Sequence, residues 1–199
     1  MKPHALILVA LLALSASSRA QAPLKLEQTI PLPGLKEGDF DHFAVDLAGQ
    51  LLFLTAEKNA AVEVFDFQTN KLVHTITGLD EPHSMLYRAD LKKLFVVDGG
   101  AAEIKMYEGE SYAKLGAIKL EDDCDSFVYE PATKYLYVVN SGKGAHQSYS
   151  LISIIDTTAA RKIACLHATR CGSLRAFGEG ARKLFASAEV MNRRFPRAV

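Results

Sequence analysis

Three dipeptides carry the side chains best suited to holding a ligand: Asp41-His42, His83-Ser84 and Asp125-Ser126, each 42 residues after the one before. A carboxylate, an imidazole and a hydroxyl together offer an anion, a nitrogen base and a neutral donor. Brought to one place, they would bind a metal ion, a carbohydrate or a small polar molecule. Asp122 and Asp123 add negative charge beside Asp125, and Ser173-Leu174 stands 48 residues further on. The same residue types also have a purely structural use. Short polar side chains ahead of a strand cap turns by bonding backbone amides, and polar groups lining a channel are satisfied by trapped water. The six residues are therefore expected as ligand-binding residues, with no catalytic residue, metal or cofactor assigned.

Other chemistry has less to stand on. The chain has no GxSxG element and no HExxH, and its histidines are not at metal-ligand spacing. His146 lies in "SGKGAH", which is like a phosphate cradle only in composition, because a P-loop needs a strand before it and a helix after it. His74 reads as a surface residue of an outer strand. Cys124, Cys165 and Cys171 form no CxxC pair, so a zinc or redox motif is unsupported. A Cys124–Cys171 disulfide, a Cys165–Cys171 disulfide and three free thiols all remain open. The 7 Tyr and 10 Phe, without any Trp, fall at strand positions, where packing accounts for them better than base stacking.

Composition narrows the partners. Apolar residues make up 49% and charged residues 23%, as in a globular protein, and 23 Lys and Arg balance 23 Asp and Glu. That balance gives no electrostatic reason to expect nucleic acid or an acidic membrane. Residues 1–20 read as a secretory signal peptide: Lys2, an apolar run from Ala5 to Leu14, and small residues up to a cut after Ala20. The run is too short to span a bilayer, so no stable membrane anchor is expected and the mature protein is expected to be periplasmic or secreted.

What must carry the three dipeptides is a repeat. "GQLLFLTAE", "KKLFVVDGG", "KYLYVVNSG" and "ARKLFASAE" echo one another, with Leu52, Leu94 and Leu136 at intervals of 42 and Leu184 48 residues later. Asp66, Glu108 and Asp156 close apolar strands at intervals of 42 and 48, which confines the extra residues of the third unit to the Gly/Ser-rich Ser141–Ser150. Each unit reads as four short strands joined by turns. The second strand is a continuous apolar run, as expected of a strand buried on both faces. Four strands in about 42 residues, stacked sheet on sheet, predict β-propeller blades. A solenoid coil would carry only one or two strands.

"DHFAVD", "PATKYLYVVN" and "IIDTTAARKI" resemble the YVTN-family repeats of the YncE-like exported propellers, from about Asp41 to about Glu189. The third repeat has Val139 where the name-giving tetrapeptide has Thr, and the first and fourth read "FLTA" and "FASA". The resemblance implies part of a seven-bladed ring without assigned catalysis, which binds ligands or partners.

The expected fold is thus all-β: blades at about 41–76, 84–120 and 125–167, a partial blade at 173–199, and an outer closing strand at 24–34. After Leu184 the pattern ends in "NRRFPRAV", where Pro196 removes a strand donor. An incomplete propeller and a closed four-bladed ring are the two architectures this leaves. Uncovered blade edges of an incomplete ring would favour self-association. The expected function is a non-enzymatic scaffold that binds a small polar ligand or protein partner through its channel-side loops. The alternatives are an enzyme or redox subunit holding a metal or cofactor at the channel mouth, and a truncated fragment.

Overall fold

The computed structural model describes residues 25–142, 146–169 and 174–177, with backbone alone for 168–169 and 174–177. The chain divides into two compact units, 1–31 and 32–199. Of the first unit, residues 25–31 are described, and they form no regular element. All the strands described below belong to the second.

Among the described residues, the strands form three antiparallel sheets. The first holds β1 (Phe40–Asp46), β2 (Leu51–Ala56), β3 (Ala61–Asp66) and β4 (Lys71–Ile76). The second holds β5 (Pro82–Arg88), β6 (Lys93–Asp98), β7 (Glu103–Glu108) and β8 (Lys114–Lys119). The third holds β9 (Cys124–Glu130), β10 (Tyr135–Asn140), β11 (Tyr149–Asp156) and β12 (Arg161–Thr169), with β13 (Leu174–Phe177) on its edge. In each sheet the strands lie in chain order, so every connection is a hairpin. The first strands β1, β5 and β9 are neighbours across the sheets, the arrangement of inner strands in a propeller.

Packing explains the continuous apolar runs. On β6, Leu94 and Val96 face the first sheet, in a core with Phe53, Val62, Val64, Met85 and Tyr107. The alternate residues Phe95 and Val97 face the third sheet, in a core with Ile104, Ile118, Leu136, Val138 and Ile155. One strand thus feeds two cores, and a polar residue at either parity would lie buried.

The second and third sheets each carry a buried polar pair at equivalent repeat positions. Asp98, fully buried, accepts the amides of Asp80 (3.1 and 3.0 Å) and Glu81 (2.9 Å), and its ion pair with Lys105 is 2.6 Å long. Lys105 Nζ donates to the Gly78 carbonyl at 2.8 Å, so the pair pins the segment that enters β5. In the third sheet Asn140 and Ser153 hold the same places: Ser153 Oγ donates to Asn140 at 3.0 Å, and Asn140 Nδ2 donates to the Glu121 carbonyl at 2.5 Å. In the first, Ala56 and Glu63 stand there, and Glu63 accepts from Thr75 at 2.6 Å.

Two sequence expectations are corrected. The segment 24–34 is not an outer strand over its described residues, 25–34. Pro31 and Pro33 each lack the amide a ladder requires. Nor does the segment beginning at Ser173 open a fourth blade at its described residues: β13 pairs antiparallel with β12, Cys165 opposite Phe177, and so adds a strand to the third sheet. Pairing on the β12 edge satisfies the backbone groups that β13 turns toward it. The proposed signal peptide, Cys171, Pro196 and the remainder of 178–199 lie outside the described residues.

The third sheet absorbs its insertion in two ways. Tyr149 and Ser150 lengthen β11 to 8 residues, against 6 in β3 and β7, and the connection from Asn140 to Tyr149 takes the rest. Its partner β12 grows to 9 residues to match.

Candidate functional site at the channel mouth

All six candidate residues sit on the same structural device. In the first sheet, Phe40 pairs with Ala56 and Phe43 with Leu54, which leaves Asp41 and His42 together opposite Thr55. In the second, Pro82 pairs with Asp98 and Met85 with Val96, which leaves His83 and Ser84 opposite Val97. In the third, Cys124 pairs with Asn140 and Phe127 with Val138, which leaves Asp125 and Ser126 opposite Val139. Two residues facing one is a β-bulge, which bends the strand and re-aims side chains. Each inner strand therefore opens with a bulge, and each bulge presents one candidate dipeptide. Thr55 serves the first of them, donating to the His42 carbonyl at 3.0 Å and accepting the His42 amide at 2.8 Å.

The bulges converge. Asp41, His83 and Asp125, one from each blade, place a carboxylate oxygen, an imidazole nitrogen and a second carboxylate oxygen all within 4.8 Å of one another. His83 Nδ1 lies 3.0 Å from Asp41 Oδ2, and Glu57 Oε2 is 4.0 Å from the same nitrogen. The other oxygen of Asp41 lies 2.7 Å from His42 Nδ1, an ion-pair approach without hydrogen-bond geometry. Ser84 turns to the next blade, donating to the Asp125 carbonyl at 2.5 Å. Asp41 and Asp125 are exposed and His83 is half-buried, so the group is open to solvent.

His83 also borders a cavity of about 310 Å³ between the second and third blades, lined by Glu81, Asp122, Asp123, Cys124 and the Gly99-Gly100 turn. The glycine at position 99 is required there. A Cβ on it would stand 2.6 Å from His83 Cδ2 and Nε2 and 2.9 Å from the Cys124 carbonyl. Asp123 is braced by Ser141, whose hydroxyl donates to its carboxylate and whose amide donates to its carbonyl at 3.0 Å. Cys124 is buried with its thiol directed at the Asp98 carbonyl, 3.7 Å away, and burial pushes that thiol up to about 12. It is no nucleophile at neutral pH.

The remaining candidates lie apart. His74 is exposed on β4, stacked on Tyr112 with ring centres 4.6 Å apart. His146 is exposed in the β10–β11 connection. Among the described residues Cys124 and Cys165 are free thiols, and Cys171, common to both candidate disulfides, lies outside them. Glu57, Glu81 and Gly99 belong to the mouth and were not singled out from sequence. The signal for two of them was the repeat itself: Glu57, Gly99 and Ser141 occupy one position at intervals of 42, the first after each second strand.

No family model and no curated protein matches this sequence. Solved structures do match in fold. Hydrazine synthase from Kuenenia stuttgartiensis aligns with a TM-score of 0.55 at 17% identity, over 79% of this chain and 49% of that one. A structure described as dihydro-heme d1 dehydrogenase NirN in complex with DHE aligns with a TM-score of 0.55 at 14% identity, over 73% of this chain and 36% of that one. This chain spans half or less of those proteins. At such identities the likeness concerns the fold, and the fold is the β-propeller.

Proposed function

We propose that the chain is the blade-bearing part of an exported binding protein, a propeller of the YVTN kind that takes a small, polar, cationic ligand at its channel mouth. One observation carries this: three bulges, one at the start of each inner strand, bring Asp41, His83 and Asp125 to one solvent-open place. The cavity beside it is walled by Glu81, Asp122 and Asp123, which disfavours anions and favours cations. Export rests on the layout of residues 1–20.

The test uses the protein recovered from the exported fraction, where N-terminal sequencing should read Gln21 first. Thermal-shift screening with di- and polyamines, neutral sugars and organic phosphates should show saturable stabilisation by the amines. Asp125→Asn should weaken it. Retention of the leader with no export, or equal stabilisation by the phosphates, would overturn the proposal.

A second reading, an enzyme or redox subunit, is favoured by one geometric fact. Asp41 holds the His83 imidazole at 3.0 Å, the arrangement that orients a histidine for proton transfer. The two solved neighbours are also enzyme-related by their descriptions. Purified protein in which His83→Ala changes ligand affinity alone, with no turnover of any bound compound, would leave the binding reading in place.

A further inference from the structure

We propose that Asp41, His83 and Asp125 form a divalent transition-metal site, of the zinc or manganese type, closed across three blades. The inference rests on the channel-mouth reading above and names the ligand class for that same place.

The donor set carries the choice of ion. One imidazole nitrogen and two carboxylate oxygens suit borderline divalent ions. Calcium and magnesium take oxygen ligands, so the imidazole counts against them. Cu(I) favours sulfur, and the Cys124 thiol is turned away to a backbone carbonyl. His83 Nδ1, 3.0 Å from Asp41 Oδ2, already faces that carboxylate, and an ion bound there would sit between the two.

Geometry permits closure. Zinc bonds of about 2.0–2.2 Å put ligand atoms within about 4 Å of each other. The three atoms here lie within 4.8 Å, so a shift of less than about 1 Å closes the site. Asp41 and Asp125, being exposed, have room to make that movement, whereas His83 is held against Gly99. Three protein ligands leave positions open toward the channel for water or a bound anion, as in open rather than structural metal sites. Glu57 Oε2, 4.0 Å from His83 Nδ1, is placed to accept from a metal-bound water.

Each ligand comes from a different blade and each from the same position in its repeat, so the ion would tie three sheets together. Binding should therefore stabilise the fold as well as fill the site.

The experiment is calorimetric and thermal-shift titration of the chelator-stripped full chain with zinc chloride, manganese chloride and calcium chloride. X-ray absorption at the zinc edge follows on wild-type protein. One zinc per chain, a raised Tm, and a shell of one imidazole with oxygen ligands are expected. Asp125→Asn and His83→Ala should each weaken zinc at least tenfold, Gly99→Ala should weaken it through displacement of His83, and His74→Ala should change nothing. Absence of saturable zinc or manganese binding, a sulfur-containing shell, or affinity unchanged in Asp125→Asn would overturn the proposal. If amines still stabilise the protein while zinc does not, the metal site fails and the binding reading survives. If neither does, both fail.

Discussion

At the level of single residues, two kinds of carboxylate recur in this chain. Asp41 and Asp125 face an opening, whereas Asp66, Glu108, Glu130 and Asp156 cap turns. Asp66 Oδ1 accepts the amides of Gln68 and Thr69, Glu108 accepts those of Glu110 and Ser111, and Asp156 accepts those of Thr158 and Ala159. The backbone amides of the turns hold Asp66 and Glu108 below the usual carboxylate range, and at Glu130 the Thr133 side chain leads the same effect. A group whose pKa falls on folding stabilises the protein above its unfolded value, and that contribution fades as the pH drops through the lowered one. Glu108→Ala should therefore melt below the wild type at pH 7, with the gap narrowing below about pH 4. Melting curves from pH 7 to pH 3 check this, and a gap that stays constant would mean the ionised carboxylate is not the cap. The acidic landmark that set the repeat period in the sequence is thus a turn cap. The candidate dipeptides were legible because the same period aligned them. Glu81 was not, because its place at the mouth depends on how Asp98 captures its amide.

At the level of strands and turns, the sequence was most readable where burial leaves little choice. Lys93–Asp98, Glu103–Glu108 and Tyr135–Asn140 are strands at the residues their apolar runs mark. The bulges were not readable, since no residue type requires them and they appear only as breaks in register. The turns conceal a regularity of their own. Gln50, Lys92 and Lys134 adopt positive φ of 58, 47 and 64°, at intervals of 42 residues, without a glycine among them. Asn70, Tyr112 and Ala160 repeat this at the turns into β4, β8 and β12. The loop-pinning pair offers the sharpest test at this level. Asp98→Ala strands Lys105 in the interior and should cost about 3–5 kcal/mol. The double change Asp98→Asn with Lys105→Ser installs the pair that the third sheet uses and should cost clearly less. Urea unfolding of the two variants decides it, and equal losses would show that the pairs are not interchangeable.

For the molecule as a whole, the stacking of sheets does the assembling. At the channel mouth the blades meet through Asp41 and His83 and through Ser84 and Asp125. At the other end of the inner strands, Arg88 reaches from the second blade to Thr157 of the third and lies 5.5 Å from the Tyr129 ring centre. Asp90 grips the same guanidinium with two bonds of 2.7 Å, which holds its own carboxyl down at about 2. The propeller arrangement was legible from period and strand count alone. The pairing of β13 was not, because local sequence does not name the edge on which a strand pairs. Everything functional then depends on one claim, that equal repeat positions of three blades meet at a single point. Manganese titration followed by amide NMR tests it directly, since a bound paramagnetic ion broadens only nearby signals. The account predicts that the amides around Asp41, His83 and Asp125 disappear together at the lowest manganese, while those of Asp46, Arg88 and Glu130 at the far ends of the same strands persist. Broadening confined to one blade, or first at the turn carboxylates Asp66, Glu108 and Asp156, would contradict it.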